Sequence, residues 1–238
     1  MPRFFVDEIN GGHAYISGDD AKHISRVLRM SIGEEVTLCD GNGHDYIAKI
    51  DSMGDSIELT ILSMSENIAE PTLELNLYQA IPKLDKMDLI VQKSVELGVS
   101  KITPVLTERC VSRPNKQSMS RKIERYQKIA LSAAKQSGRG IVPQIMPMIS
   151  YQEAVEEVAA STGILFYECG GESLDKLISK NTHHVSILIG SEGGFSVEEV
   201  NLAKESGIKI ATLGKRILRA ETAPISAISI IMHLSGNM

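Results

Sequence analysis

The chain has 238 residues and a mass of 26.0 kDa, and 42% of its residues are apolar and 23% are charged. These proportions are ordinary for a folded protein and exclude extensive disorder, and a chain of this length can bury a sizeable core without disulfide or metal cross-links. The formal net charge is −5 at pH 7, which by itself argues against a nucleic-acid partner.

The first 70 residues carry short apolar segments between turn-forming residues. Asp19 and Asp20 can begin a short helix over 21–28, and the sequence Asp-Gly-Asn-Gly at 40–43 is a strong hairpin signal. We expect five strands, over 3–6, 13–16, 35–39, 46–50 and 57–62. Strands this short and this evenly spaced predict a small β-barrel, and residues 65–71 predict a linker that ends in Pro71.

From residue 72 onwards, strands alternate with helices. We expect strands over 73–80, 102–106, 163–167, 186–189 and 208–213. We expect helices over 84–97, 120–136, 151–160, 196–206 and 223–234. This alternation predicts an α/β domain with a mostly parallel sheet and helices on both faces. We therefore divide the chain into a first domain over 1–70 and a second over 72–238.

Charge is distributed unevenly along the chain. Residues 1–71 contain 5 Lys and Arg against 13 Asp and Glu, a net charge of −8, whereas residues 101–140 contain 10 against 2, a net charge of +8. A local field of that positive sign attracts a polyanion whatever the global sum. A solvated helix face followed by a basic loop would account for the same charges, so charge alone leaves both interpretations open.

Two strand-to-helix loops carry the main candidates for chemistry. Residues 190–196, Gly-Ser-Glu-Gly-Gly-Phe-Ser, can bring backbone N–H groups close to a ligand at the start of a helix with a Ser196/Glu199 capping box. The spacing matches neither the dinucleotide-binding fingerprint nor a P-loop, and plain turn chemistry is the alternative. Residues 213–223 concentrate Arg216, Arg219 and Glu221 around the apolar pair at 217–218, which suits a loop that wraps a ligand.

Two smaller candidates are Arg139, in the segment 137–140 at the end of the basic helix, and His23 with Arg26 and Arg29 in the otherwise acidic first domain. A single histidine on such a helix is more often solvated than a ligand. The adjacent pair His183 and His184 would point apart on a strand. We therefore expect no metal, and no Ser/His/Asp or Cys/His arrangement stands out.

The cysteines and the N-terminal segment bear on the compartment. Cys39, Cys110 and Cys169 are far apart and form no C-x-x-C pair, which argues against a disulfide framework and a structural zinc site and favours a reducing compartment. No apolar run approaches the roughly 18 residues of a membrane span, and acidic residues at 7–8 interrupt any signal-peptide region. We expect a cytoplasmic protein with no membrane partner.

Several short motifs, taken in order, are specific where each alone would be weak. They are His23 with Arg26-Val27-Leu28-Arg29, Lys83 with Lys86-Met87-Asp88, QKSVELGV at 92–99, Glu108-Arg109, AAKQSGR at 133–139 with Val142-Pro143, IGSEGGFS at 189–196 and LGKRILRAETA at 213–223. Over essentially its whole length, the chain resembles the RsmE-type ribosomal RNA uridine-N3 methyltransferases, a branch of the SPOUT (α/β-knot) superfamily.

The resemblance implies a PUA-like β-barrel that helps to hold RNA, followed by a SPOUT domain whose C-terminal segment threads through a loop as a trefoil knot. It also implies a homodimer in which each site borrows residues from the partner, and S-adenosylmethionine bound in the knot. Glycine backbone and apolar side chains suit adenine and ribose better than phosphate. The cofactor-binding residues carried over to this sequence are Gly190, Glu192, Gly193, Leu213, Gly214, Ile217 and Leu218.

The implied reaction is methylation of N3 of a specific uridine in the decoding region of 16S ribosomal RNA, with naked RNA or the assembled small subunit as substrate. Attack by N3 requires an unpaired or flipped-out base and loss of its imide proton, and a cation beside O2 or O4 would stabilise the developing charge. Arg219 or Arg139 is expected to supply that cation, and Glu221 is either a general base or the group that orients an arginine. The expected RNA-binding residues are His23, Arg26, Arg29, Arg109, Arg113, Arg121, Lys122, Arg125 and Lys128.

Two positions depart from the family pattern, which usually has proline at Ser191 and threonine at Ala220. Because neither change removes a charged residue or a glycine, we expect them to affect affinity or rate before activity. They are the features that favour an alternative, a non-catalytic RNA-binding protein with the same fold. Two further alternatives are a knot methyltransferase that acts on a different RNA and a nucleotide-phosphate enzyme, and the missing P-loop lysine argues against the last.

Overall fold

A computed structural model describes residues 1–238, apart from the side chain of Lys116. The chain forms two compact units. The first contains Met1–Glu70 and Ala134–Val142, and the second contains Pro71–Ala133 and Pro143–Met238. Each unit has its own sheet and its own apolar core.

The first unit is built on a six-stranded sheet with the order β1-β4-β5-β6-β3-β2. β1 runs parallel to β4, and the other neighbouring pairs are antiparallel. Its core is apolar and includes Phe4, Ile24 and Leu59, as the alternating sequence pattern predicts. The elements are β1 Arg3–Phe5, β2 Ile9–Asn10, β3 His13–Ile16, α1 Gly18–Lys22, β4 Glu35–Cys39, β5 His44–Met53 and β6 Ile57–Glu66.

The helix expected over 21–28 takes a different form. α1 ends at Lys22, and a π-helical turn continues over His23–Val27, with the Leu28 N–H donating to the His23 carbonyl at 2.9 Å. Arg29 then adopts φ +53°, a left-handed conformation that non-glycine residues rarely take. No local sequence rule distinguishes a π-turn of this kind from an ordinary helix.

The segment Ala134–Val142 belongs to the first unit, although the sequence prediction placed it in the second domain. Complementary charge explains the difference. Lys135 Nζ lies 2.8 Å from Asp20 Oδ1, and Arg139 Nη2 lies 2.8 Å from Glu70 Oε2. Asn67 Nδ2 also donates to the Gly138 carbonyl at 3.0 Å. The acidic first unit therefore holds a basic segment that lies far away in the sequence.

The second unit contains a seven-stranded, all-parallel sheet, which confirms the predicted α/β architecture. The strand order is β10-β8-β7-β12-β11-β13, and β9 also pairs with β8. The strands are β7 Glu74–Ala80, β8 Lys101–Leu106, β9 Gln144–Ile145, β10 Ile149–Ser150, β11 Thr162–Phe166, β12 His184–Ile189 and β13 Lys209–Ala211. The helices are α2 Lys86–Glu96, α3 Lys116–Ser137, α4 Tyr151–Ala159, α5 Val197–Glu205 and α6 Thr222–Leu234.

Burial explains the continuous apolar runs of the central strands. All residues of β11 and β12 after the first are buried, as expected for strands of a sheet that is covered on both faces. α4 and α5 share one core cluster with residues of β7, β8, β11 and β12, whereas α6 packs against α2 and β7. Between β13 and α6 the chain therefore crosses back over β11 and β12, and this is the segment that the resemblance expects to be threaded.

Two differences from the predicted elements have clear physical reasons. α2 begins at Lys86 rather than at residue 84, because Leu84 adopts φ +57° and cannot lie in a right-handed helix. β2, β9 and β10 have two residues each, which is too few for an alternating pattern to predict them. Over the described residues, every helix is too short or too polar to cross a membrane.

Candidate active site

A cavity of about 510 Å³ lies in the second unit, where several parallel strands end. Loops at the carboxyl ends of parallel strands are the usual place for ligand sites in such sheets. Two loops form most of the wall: the glycine loop, residues 190–196 after β12, and the arginine loop, residues 212–221 after β13. The wall consists of Lys86, Phe166, Tyr167, Glu168, Ile189, Gly190, Ser191, Glu192, Gly193, Gly194, Thr212, Leu213, Gly214, Arg216, Ile217, Leu218, Arg219, Ala220 and Ala223.

The glycine loop needs its glycines because its backbone is closely packed. A Cβ atom at Gly193 would lie 2.8 Å from the Cβ of Arg109, and one at Gly190 would lie 3.1 Å from the Cα of Gly194. Gly194 adopts φ +63°, and its N–H donates to the Ser191 carbonyl at 3.0 Å, which closes a tight turn. Backbone atoms therefore form much of this side of the cavity.

Side chains from neighbouring elements fix the glycine loop in place. Gln79, fully buried at the end of β7, donates from Nε2 to the Gly190 carbonyl at 3.2 Å. Arg109 donates from Nη1 to the Gly193 carbonyl at 3.1 Å. The buried carboxylate of Glu199 accepts from the N–H of Glu108 at 2.8 Å and from the N–H of Ser196 at 2.9 Å. The predicted capping box of α5 is thus confirmed, and it also ties the loop after β8 to the glycine loop.

The arginine loop is held at its ends and presents side chains in its middle. Gly214 adopts φ +99°, and its N–H donates to Thr212 Oγ1 at 3.2 Å. At the other end, the Arg219 carbonyl accepts from the first two N–H groups of α6. Ile217 between them is 85% exposed, which is unusual for a large apolar side chain on a cavity wall.

Lys86, in the first turn of α2, connects the two loops. Its Nζ lies 2.9 Å from Glu192 Oε1 of the glycine loop and 3.1 Å from Glu221 Oε2 of the arginine loop. The backbone N–H of Lys83 also donates to both oxygens of Glu192, at 3.2 Å each. The side chains of all three charged residues are largely buried, between 17% and 29% exposed.

This ion-pair cluster shifts the pKa of each of its members. Burial raises the pKa of Glu192, but hydrogen bonds from Lys86 and from backbone N–H groups outweigh it, so the pKa lies below the usual value. A hydrogen bond to its own backbone N–H lowers the pKa of Glu221; burial opposes this, and Lys86 lowers the pKa further. Hydrogen bonds to Glu192 and then Glu221 raise the pKa of Lys86. At neutral pH the cluster therefore holds two carboxylates and one ammonium.

All seven residues predicted to bind the cofactor line this one cavity, as does Arg219. Glu221 lies beside the wall through its contact with Lys86. Arg139 requires a correction as a catalytic candidate. Its guanidinium is only 4% exposed and pairs with Glu70 in the first unit, so it secures the segment 134–142.

The predicted RNA-binding residues fall into two groups. Three arginines have partners within the second unit: Arg109 holds Gly193, Arg113 donates to the carbonyls of Thr107 and Glu108, and Arg125 pairs with Asp88 at 2.8 Å. The other group consists of His23, Arg26, Arg29, Arg121, Lys122 and Lys128, for which the described chain shows no ion pair. Arg121, Arg125 and Lys128 share one face of α3.

Several wall residues were missed from the sequence. Lys86 follows β7 at the edge where the cofactor loops gather, and this position alone could have indicated it. Tyr167 and Glu168 follow β11 at the same edge. Ser191 is buried, and its hydroxyl finds no hydrogen-bond partner among the described atoms. Among the described residues, His, Cys, Asp and Glu form no group of three that could hold a metal ion.

Comparison with known proteins gives concordant matches for both units. A family described as RNA methyltransferase domain matches residues 69–232, and one described as RNA methyltransferase PUA domain matches residues 16–62. The ribosomal RNA small subunit methyltransferase E of Buchnera aphidicola subsp. Acyrthosiphon pisum is 31% identical over 100% of this chain and 95% of its own length. The Bacillus subtilis protein of the same description is 29% identical over 98% of this chain and 96% of its own length.

A solved structure matches the whole fold. The crystal structure of a ribosomal RNA small subunit methyltransferase E from Neisseria gonorrhoeae, bound to S-adenosyl methionine, superposes with a TM-score of 0.90. It is 35% identical in sequence, and the match covers 98% of each chain. The similarity therefore extends over both units and includes the loops that form the cavity.

Proposed function

The chain belongs to the RNA methyltransferase family that includes ribosomal RNA small subunit methyltransferase E, and from this premise we propose that it transfers the methyl group of S-adenosylmethionine to N3 of a uridine in 16S ribosomal RNA. The observation that carries the proposal is the convergence of both predicted cofactor loops on one cavity. A uridine in the decoding region, as the resemblance implies, is the specific acceptor that we propose.

The residues on the cavity wall fit S-adenosylmethionine. The cavity volume of about 510 Å³ lies within the range of ligand pockets, roughly 300–1,000 Å³. The closely packed backbone of the glycine loop and the apolar pair Ile217 and Leu218 suit the adenine and ribose parts. When bound, the cofactor supplies an electrophilic methyl group on a sulfonium. Gly190, Gly193, Leu213, Gly214, Ile217 and Leu218 are the residues that we propose to hold it.

Arg219 is the residue that we propose to stabilise the reacting uracil. It lies on the cavity wall, is exposed, and forms no ion pair within the described chain. A guanidinium there can donate to O2 or O4, where negative charge develops as N3 loses its proton. Positioning of the unpaired base and this charge stabilisation supply most of the rate that we expect.

Glu221 orients and holds rather than accepts the proton in this proposal. Its carboxylate is paired with Lys86 at 3.1 Å, and its lowered pKa makes it a weak base. Of the two roles that the sequence leaves open for Glu221, general base or group that orients an arginine, these contacts favour an orienting role. Glu192 is also paired with Lys86, and its pKa is also lowered, so it too is a weak base.

Exposed cations of both units are proposed to bind RNA phosphates. Arg121 and Lys128 lie on one face of α3, and His23, Arg26 and Arg29 lie on and after the π-helical turn of the first unit. Phosphate contacts position a nucleic acid, whereas contacts with the base edge specify it. These residues are therefore expected to set affinity and its salt dependence, and the cavity to set the choice of base.

We further propose that the protein works as a homodimer in the cytoplasm. Ile230, on α6, is 41% exposed although it is a large apolar residue, and α6 follows directly after the arginine loop. A second copy that covers α6 from Ile230 to its first turn would lie next to the cavity, which Ala223 lines. Sedimentation of the purified protein tests the dimer, and a monomer at micromolar concentration would contradict it.

Mass spectrometry of ribosomal nucleosides tests the proposed reaction. RNA from cells with and without the gene is digested, and the loss of 3-methyluridine from 16S RNA in the mutant is the expected result. Purified protein with S-adenosylmethionine should restore the modification, with naked RNA and assembled small subunits tested side by side. Restoration of another modified nucleoside, or of none, would contradict the assignment.

A further inference from the structure

Lys86 occupies a position that the proposed reaction does not explain. It is one lysine with two carboxylate partners, and each partner belongs to a different cofactor loop. We propose that Lys86 is a positioning residue that holds the glycine loop and the arginine loop together in the form that binds the cofactor. This inference rests on the proposed function, because it concerns the same cavity.

The contacts around Lys86 favour a clamp. Glu192 is bound twice, by the ammonium of Lys86 at the start of α2 and by the backbone N–H of Lys83 just before that helix. Glu221 immediately precedes α6, which packs against α2. A single side chain therefore joins the first turn of α2, the glycine loop and the start of α6.

Removal of the ammonium would leave an electrostatic repulsion between the two loops. Glu192 and Glu221 both approach the same nitrogen, so their carboxylates are close neighbours that share one cation. Like charges at this separation repel, and partial burial weakens solvent screening of that repulsion. Arg219 is a further cation that acts on Glu221, and Arg216 and Glu168 are the other charged groups on the wall. None of these bridges the two loops in the described contacts.

A direct proton-transfer role for Lys86 does not fit its surroundings. Both carboxylates favour its charged form, and an ammonium cannot accept a proton. Lysine is also a compact donor with three N–H groups, and the Nζ of Lys86 lies within 3.1 Å of an oxygen of each carboxylate. The ammonium of Lys86 is therefore suited to holding the two loops together and not to transferring a proton.

Lys86→Met tests the clamp, and Lys83→Met is the matched control. Lys83 lies three residues before Lys86, outside α2, and it binds Glu192 through its backbone N–H, which the substitution keeps. Calorimetric titration with S-adenosylmethionine should show binding at least tenfold weaker for Lys86→Met and within twofold of the original for Lys83→Met. Lys86→Arg, which keeps the charge, should recover most of the affinity.

Two readouts separate a clamp from a general loss of stability. In the cofactor-free protein, amide hydrogen exchange should rise in 190–196 and 212–221 of Lys86→Met, while the sheet strands stay protected. In the parent protein, protonation of Glu192 and Glu221 at low pH breaks the clamp and should weaken cofactor binding. Lys86→Met has no clamp to break, so this acid limb should be absent from its binding profile. Exchange that rises throughout the second unit would instead indicate a structural role and would overturn the proposal.

Further variants keep the inference testable if Lys86→Met does not fold. Glu192→Gln and Glu221→Gln each remove one half of the clamp and leave the lysine with one charged partner. Each should weaken cofactor binding, and the double variant should lose less affinity than the sum of the two single losses because both carboxylates act through one cation. Additive effects would contradict the clamp. Failure of the parent protein to bind S-adenosylmethionine at all would instead contradict the proposed function.

Discussion

The two loops that form the cavity differ in how the chain supports them. The glycine loop is braced by side chains from three other elements, Gln79, Arg109 and Glu199, which bind its backbone groups. The arginine loop is fixed at Gly214 and at the start of α6 but presents Ile217 and Arg219 outward. One loop is a preformed surface, and the other carries side chains whose partners must come from outside the chain.

This difference indicates that the two loops contribute to binding in different ways. A braced backbone cannot adjust easily, so it suits a cofactor that is the same in every turnover. Exposed side chains that await a partner suit contacts that form only when a ligand is bound, Ile217 with the cofactor and Arg219 with the RNA base that arrives and leaves. Variants in the two loops should therefore fail in different ways, and the predictions below are ordered by the size of the expected effect.

Substitution of the exposed arginine should give the largest loss of activity. Arg219→Ala is expected to lower kcat by about 10²–10³-fold, since it removes the donor to the developing charge. Because the side chain is exposed and without an intramolecular ion pair, cofactor affinity and the melting temperature should change little. Single-turnover methyl transfer measures the loss of rate, and calorimetry measures the cofactor affinity and the melting temperature. Turnover that survives within a few-fold would show that another group supplies the charge.

Substitution in the braced loop should instead damage folding and cofactor binding together. Gly193→Ala places a Cβ 2.8 Å from the Cβ of Arg109, and neither atom can move without its backbone. We expect a loss of about 1–3 kcal/mol in the free energy of unfolding, as for other overpacked sites, with much weaker cofactor binding.

Gly214→Ala is the matched control in the arginine loop. It has open space around the added methyl group, and its cost comes from φ +99° alone, about 1–2 kcal/mol. Its effect on the protein should therefore be strain without displacement of a neighbour. If both variants lose stability and affinity equally, the loops are not supported differently.

The contrast between a braced group and an exposed one can also be tested for RNA binding, with cations that do or do not bind another residue of the chain. Arg121→Ala combined with Lys128→Ala removes two exposed charges from α3 and should reduce the slope of log affinity against log salt by about 1.4–1.8. Arg109→Ala, which removes the brace of Gly193, should lower stability and leave that slope nearly unchanged. Filter binding across a range of salt concentrations measures both. If the slope changes only for Arg109→Ala, the RNA phosphates contact Arg109 beside the glycine loop and not the exposed face of α3.

Local rules predicted the elements of this chain better than the partners of its charged residues. The capping box at Ser196 and Glu199 and the buried runs of β11 and β12 depend on near neighbours or on burial alone, and the structure confirms them. The convergence of the two loops was also predictable, because both follow strands of one parallel sheet.

Long-range pairing explains what the sequence could not show. Arg139 was a catalytic candidate because it lies in a basic segment, but its partner Glu70 is 69 positions earlier in the chain. Lys86 gained its significance only when the fold brought Glu192 and Glu221 to it. Charge patterns record that a residue is cationic, but only tertiary structure decides whether the charge is already satisfied.

The smallest expected effect tests whether the exposed apolar side chain of the arginine loop awaits the cofactor. Ile217→Ser should weaken S-adenosylmethionine binding about tenfold, equivalent to roughly 1.4 kcal/mol of lost apolar burial. Since Ile217 is 85% exposed, the melting temperature should not fall. Ile68→Ser, at a fully exposed position of the first unit, controls for the loss of an apolar surface group and should change neither quantity. Unchanged affinity with a lower melting temperature would mean that Ile217 packs within the chain, and the two loops would then be alike in their support.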